Sequence, residues 1–152
     1  MKNIFLSILF ISLFMTSCKC SKSSQSNEEI LEFSTEQVWQ LTHIRENKVS
    51  DNGAEPITMQ FNPESSAVNG FAGCNRYFGT YTNKVADTPE AGTQGEISFS
   101  NVGCTKMMCP DNEMRLEDKF LPMIEKATGY SLTAYTLVFF QKDKEIMRFE
   151  KQ

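Results

Sequence analysis

The stretch GYSLTAYTLVFFQKDKEIMRFE, residues 129–150, decides the fold. It divides into three apolar-rich segments, Tyr130 to Ala134, Thr136 to Gln141 and Ile146 to Glu150, with only one to four residues between them. Connections that short cannot hold a crossover helix, so the segments predict a closing antiparallel meander. Just upstream, Leu116, Phe120, Met123, Ile124 and Ala127 recur at helical spacing. They form an apolar stripe, with Glu117, Asp118, Glu125 and Lys126 placed off it. Pro110, Asp111 and Glu113 mark the start of this helix and Gly129 its end, while Pro122 inside the stripe predicts a kink or a shortened helix.

Further upstream the texture is that of short strands. Val38 to Ile44 alternates, with Trp39 and Leu41 on one face, and Ile57, Met59 and Phe61 recur at period two before an Asn62-Pro63 turn. Ala67 to Phe71 and Gly79 to Lys84 predict two more strands flanking a glycine-rich corner, and Ile97, Phe99 and Val102 a fifth. Between them, Ala86 to Gly95 carries Pro89, Gly92 and Gly95 and reads as an exposed loop. The order predicts an α+β domain whose antiparallel sheet curls into a partly open β-barrel with one helix packed across it.

The amino terminus has a different character. Met1-Lys2-Asn3 precedes a run from Ile4 to Met15 of Ile, Leu, Phe and Met broken only by Ser7 and Ser12. The run is too short to span a bilayer permanently, which takes roughly 20 residues, and reads as an export signal. Met15-Thr16-Ser17-Cys18 resembles the bacterial lipobox, which implies cleavage after Ser17 and lipidation of Cys18. Residues 19–29 hold no aromatic or aliphatic side chain and predict a flexible tether. The expected organisation is a signal peptide over 1–17, a tether over 18–32 and a domain over 33–152. The lipid would hold the product on a membrane of the cell envelope, at the outer membrane or the periplasmic face, without spanning it.

Composition narrows the chemistry. A net charge of −4 with no basic cluster gives no attraction for phosphate backbones, so no nucleic-acid role is expected. His43 is the one histidine, at the end of a strand and with no catalytic partner near it in sequence. No catalytic, cofactor or metal residue is assigned. The densest signature is Gly70 to Tyr81, whose glycines imply a positive φ or a close backbone approach around Asn75 and Arg76. It lacks the Gly-Lys-Ser/Thr end of a phosphate loop and the glycine spacing of a dinucleotide fingerprint. The second signature is Cys104 to Pro110, just before the helix. Asn75 would bond its own loop; Arg76 would pack its stem and pair with an acid, or contact a ligand.

Together these stretches resemble the META/HslJ domain family. The family's Gly-Cys-Asn segment, aromatic and Gly-x-Tyr are matched by Gly73-Cys74-Asn75-Arg76, Phe78 and Gly79-Thr80-Tyr81. Its Thr-Lys/Arg-Met-x-Cys segment is matched by Thr105-Lys106-Met107-Met108-Cys109, and its early Trp-x-Leu by Trp39-Gln40-Leu41. Cys104 and the length of the 86–95 loop depart from the pattern. The resemblance implies a small curled sheet with a helix, often exported and lipid-anchored, and a family associated with heat-shock expression and antibiotic tolerance. Cys74 and Cys109 occupy the two motif positions, and in an oxidising compartment they are expected to form a disulfide. Cys20 and Cys104 carry no assignment. The expected function is a non-enzymatic binding or scaffold protein in envelope stress tolerance, contacting an envelope protein or an apolar ligand. The alternatives are a carrier of an acyl chain or other apolar ligand in the barrel interior and a thiol-dependent redox protein using Cys104.

Overall fold

A computed structural model describes residues 31–49, 55–86 and 92–152. The signal peptide, Cys18, Cys20 and nearly all of the expected tether lie outside the described residues, as do residues 87–91 of the expected loop. In chain order the elements are β1 (Val38–Ile44), β2 (Asn47–Lys48), β3 (Thr58–Asn62), β4 (Ala67–Phe71), β5 (Arg76–Val85), β6 (Thr93–Cys104), α1 (Asp111–Ile124), β7 (Gly129–Leu132), β8 (Thr136–Gln141) and β9 (Lys144–Lys151).

The strands form one antiparallel sheet in sequence order from β3 to β9, with β1 paired to β3 on one side and to β9 on the other. The second pairing closes the sheet into an eight-stranded barrel, to which β2 adds a short hairpin arm against the end of β1. The curl is therefore complete rather than partly open. Closure depends on Leu41 facing Phe149 and Ile44 facing Met147, pairs from opposite ends of the domain. Full closure removes the unpaired edges that an open sheet would expose.

Alternate residues point inward, as period two requires. Trp39, Met59, Phe61, Tyr77, Leu137, Phe139, Met147 and Phe149 are each at most 1% exposed. Aromatic contacts run through the interior as one chain, from Phe61 to Phe99, Phe139, Phe149 and Phe120. Near one end Phe33 stacks on Phe61 at 4.1 Å between centroids, with Tyr81 and Tyr130 against the pair. Near the other, Phe120 of α1 meets Tyr77 at 5.4 Å and Phe149 at 6.4 Å. The helix packs across the barrel there, with Phe120 and Ile124 fully buried. An acyl chain in the barrel interior, one of the alternatives read from sequence, would have to occupy space that these rings fill.

Three local differences from the sequence pattern have physical reasons. Thr93 to Gly95, expected in a loop, belong to β6 and pair with Leu132, Ser131 and Tyr130. Gly95 sits where a Cβ would lie 2.0 Å from the Lys84 carbonyl oxygen, so this glycine marks close strand approach, not a turn. The helix ends at Ile124, two residues past Pro122, and Ala127 of the expected stripe is buried in the turn that follows. At the amino end, Leu31 already packs against the core, and its N–H donates to Thr93 Oγ1 at 2.8 Å.

Tyr77 carries a pH dependence. Its hydroxyl donates to the Thr58 carbonyl at 3.0 Å, and burial pushes its phenol well above the usual 10.0. A folded-state value above the unfolded one contributes stability below the unfolded pKa that is lost as pH rises through the folded value. Tyr77→Phe is expected to cost about 1 kcal/mol at neutral pH through the lost hydrogen bond. It should also flatten the fall in stability above about pH 10. Urea unfolding at neutral and alkaline pH measures both, and an unchanged alkaline slope would contradict the assignment.

Candidate functional site

The two motif stretches meet at one corner of the barrel. Between β4 and β5 the chain turns through Ala72, Gly73, Cys74 and Asn75, all of them buried. A buried turn must find partners for its polar groups inside the protein. Ala72 N–H donates to the Asn75 carbonyl at 2.8 Å and closes the turn. Gly73 has φ of 103°, the left-handed conformation its position in the motif implied. Gly70 supplies the close approach, because a Cβ there would lie 2.0 Å from the Thr58 carbonyl oxygen.

Asn75 is the hub, 3% exposed. Its Oδ1 accepts from Met107 N–H at 2.7 Å and from the Thr105 hydroxyl at 2.9 Å, and its Nδ2 donates to Met107 carbonyl oxygen at 3.4 Å. The side-chain amide thus pairs with Met107 much as a neighbouring strand residue would. On the other side, Asn75 N–H donates to Glu117 Oε2 at 2.7 Å and Nδ2 to Glu117 Oε1 at 3.0 Å. One asparagine therefore joins the corner, the strap of residues 105–110 and helix α1. It reaches well beyond its own loop, which is where the sequence placed its bonds.

The strap is fixed at both ends. Thr105 N–H donates to the Arg76 carbonyl at 3.0 Å, and Arg76 N–H donates to Thr105 Oγ1 at 3.2 Å, continuing the β5–β6 ladder. Cys109 is joined to Cys74 by a disulfide, the pairing expected from the motif. Pro110 then caps α1 through its carbonyl, which accepts from Glu113 and Met114 N–H.

Glu117 is the functional residue that sequence reasoning missed, since it was placed off the apolar stripe. The signal was its spacing: Phe120 and Ile124 follow at i+3 and i+7, which puts Glu117 on the inward face. Trp39 and Tyr81 are core residues, and Gly79 lets β5 pass close to Ser100 of β6, where a Cβ would lie 3.2 Å from its carbonyl. Arg76 and Lys106 are exposed. Among the described residues Arg148 with Glu145 is the one ion pair, so Arg76 has no acid partner there and its guanidinium faces solvent.

His43 is half-buried in β1, its Nδ1 3.1 Å from Thr42 Oγ1, with Lys48 and Arg148 opposite it on the neighbouring strands. Cys104 is half-buried opposite Tyr77. Cys109 is bonded to Cys74, which leaves Cys104 as the free cysteine among the described residues. Among the described residues no cluster of three or more His, Cys, Asp or Glu side chains could hold a metal ion.

The locked corner leaves unusual residues in water. Met108 is 91% exposed, Met107 58% and Phe78 59%. Phe78 lies on the outer face of β5, its ring 3.1 Å from where a Gly103 Cβ would stand. Register places all three, with Arg76 and Lys106, at one end of the β5–β6 ladder and the strap continuing from it. The side chains adapt while the backbone beneath them is held by a crosslink and a hydrogen-bonded amide. That combination suits contact with another surface.

The family model described as META domain matches residues 31–152. Two solved structures are similar. One, an NMR structure of a protein from Burkholderia xenovorans, is 25% identical with a TM-score of 0.57, over 76% of this chain and 81% of that one. The other, also an NMR structure, is 21% identical with a TM-score of 0.53, over 76% of this chain and 89% of that one. No curated protein matches.

Proposed function

Because this chain belongs to the META domain family, we propose that it is a non-enzymatic binding domain held at a cell-envelope membrane by a lipid on Cys18, acting in envelope stress tolerance through contact with an envelope protein. The observation that carries this reading is that Phe78, Met107 and Met108 are exposed at or beside the corner that is crosslinked to the strap and hydrogen-bonded to the strap and to α1. Exposed apolar side chains on a preordered backbone lose little conformational freedom on contact, which favours recognition. Neither a cofactor nor a nucleic acid enters this function. The lipobox-like Met15-Thr16-Ser17-Cys18 supports the anchor.

Two measurements test it. A photo-crosslinking residue at position 108 in intact cells should capture a discrete envelope protein, while the same residue at the exposed position 125 should not. Equal capture from both positions, or none from either, would remove the corner as the contact surface. Cys18→Ser should move the product from the membrane fraction to the soluble fraction, and retention in the membrane would remove the lipid anchor.

A further inference from the structure

A groove of about 500 Å³ lies outside the barrel, between the β1–β2 hairpin and one flank of α1. Its size is in the range of small-ligand sites, roughly 300–1,000 Å³. Its lining is sorted by chemistry. Ile44, Val49, Leu116 and Met123 supply an apolar floor; Ile44 is buried and the other three are half-buried. Arg45 and Lys48 from the hairpin and Arg115 and Lys119 from the helix supply a rim of four exposed cations. Among the described residues one carboxylate, Glu113, lines the groove with them. None of the four cations is paired with an acid among the described residues.

The contrast with the rest of the molecule is informative. The chain as a whole carries a net charge of −4, yet this groove gathers positive charge from two elements far apart in sequence. Self-repulsion makes such a rim unfavourable unless an anion is near. Ile44 belongs to the core and Val49, Leu116 and Met123 pack against it, so the floor is the half-buried fringe of the core, and its remaining open surface beside the cations matches an occupant with both an apolar and an anionic part. We infer that the groove binds an amphipathic anion, a phosphate or carboxylate head on an alkyl chain, with the head held by the cationic rim and the chain laid along Leu116 and Met123. The two guanidinium groups suit bidentate contact with the oxygens of such a head.

The test uses the chain from residue 18 onward carrying Cys18→Ser, which keeps both an attached lipid and the apolar run Ile4 to Met15 out of the measurement. Isothermal titration with monomeric dodecyl phosphate and with laurate should show saturable one-to-one binding. Dodecyl maltoside, with a similar chain and no charge, and inorganic phosphate, with charge and no chain, should each bind at least about tenfold more weakly, the worth of one charge-assisted hydrogen bond. Lys48→Gln combined with Arg115→Gln should weaken dodecyl phosphate by a similar factor. Both residues are exposed, so the fold should be unaffected, and Lys84→Gln outside the groove should change nothing. Equal binding of the maltoside, equal binding of inorganic phosphate, or no effect of the double variant would each overturn the inference. So would binding to vesicles of anionic phospholipid with none to monomeric amphiphile, which would make the rim a bilayer contact.

Discussion

Replacing Cys74 and Cys109 together by Ser is expected to lower the unfolding free energy by about 3–4 kcal/mol in the chain-entropy account. The bond joins residues 35 apart, so its removal frees a long loop in the unfolded chain, and that term grows with loop length. Within that loop lie β5 and β6, which supply a quarter of the barrel wall. Cys74 is 2% exposed, so the two serines also place a hydroxyl in the buried turn, and the measured loss should not fall below the entropic figure. In a domain of this size the melting temperature should drop by about 10–20 °C. Urea unfolding of the wild type under thiol reduction provides the comparison without a sequence change. A loss below about 1 kcal/mol in both experiments would mean that the hydrogen bonds around Asn75 hold the corner unaided. The result bears on function, since the exposed Met107 and Met108 sit on the strap that this bond ties down.

The legibility of this fold depends on the range over which each feature is determined. β1 carries alternation, and β4 and β8 carry apolar residues between turn residues, all within a few positions, and the bounds of all three match the pattern. Barrel closure did not show, because nothing local in Val38–Ile44 says that its second edge will meet residues 147–151. Gly95 misled for a related reason: a glycine demanded by a carbonyl on the neighbouring strand looks in sequence like one demanded by a turn. At the corner, Gly73, Cys74, Asn75 and Cys109 were visible as a motif with unusual backbone demands. Glu117 was not, because its role is set by a side chain 42 positions away. The groove was hidden more completely. Arg115 and Lys119 have the spacing of an ordinary solvated helix face, and only the hairpin's position beside that face gives them partners in Arg45 and Lys48.

Asn75→Ala is expected to be as damaging as loss of the disulfide, by about 3–4 kcal/mol, and for a different reason. Alanine removes both ends of the amide at once, leaving Met107 N–H and the Thr105 hydroxyl without their acceptor and the Glu117 carboxylate with only the backbone N–H of residue 75. Each neutral bond is worth about 1 kcal/mol, and the one to a carboxylate about 1.5–3. Some of this is recovered where water reaches the strap, so the estimate stays at the lower end of the sum. Asn75→Asp separates the contributions. The shape and the Oδ1 acceptor remain, but an oxygen now faces Glu117 Oε1 where an N–H lay at 3.0 Å. Two carboxylates at that separation hold a proton between them, which raises the folded-state pKa of the pair. Stability held at low pH should therefore be lost as pH rises through that raised value. Unfolding curves of the Asp variant between about pH 4 and 8 measure it, and a variant as stable as wild type at the upper limit would refute the bonded geometry. Combining Asn75→Ala with the double serine variant completes a cycle. Both changes act on the attachment of one strap to one corner, so once either has released it the second should cost less than it does alone, and strict additivity would show that the crosslink and the amide hold separate parts of the structure.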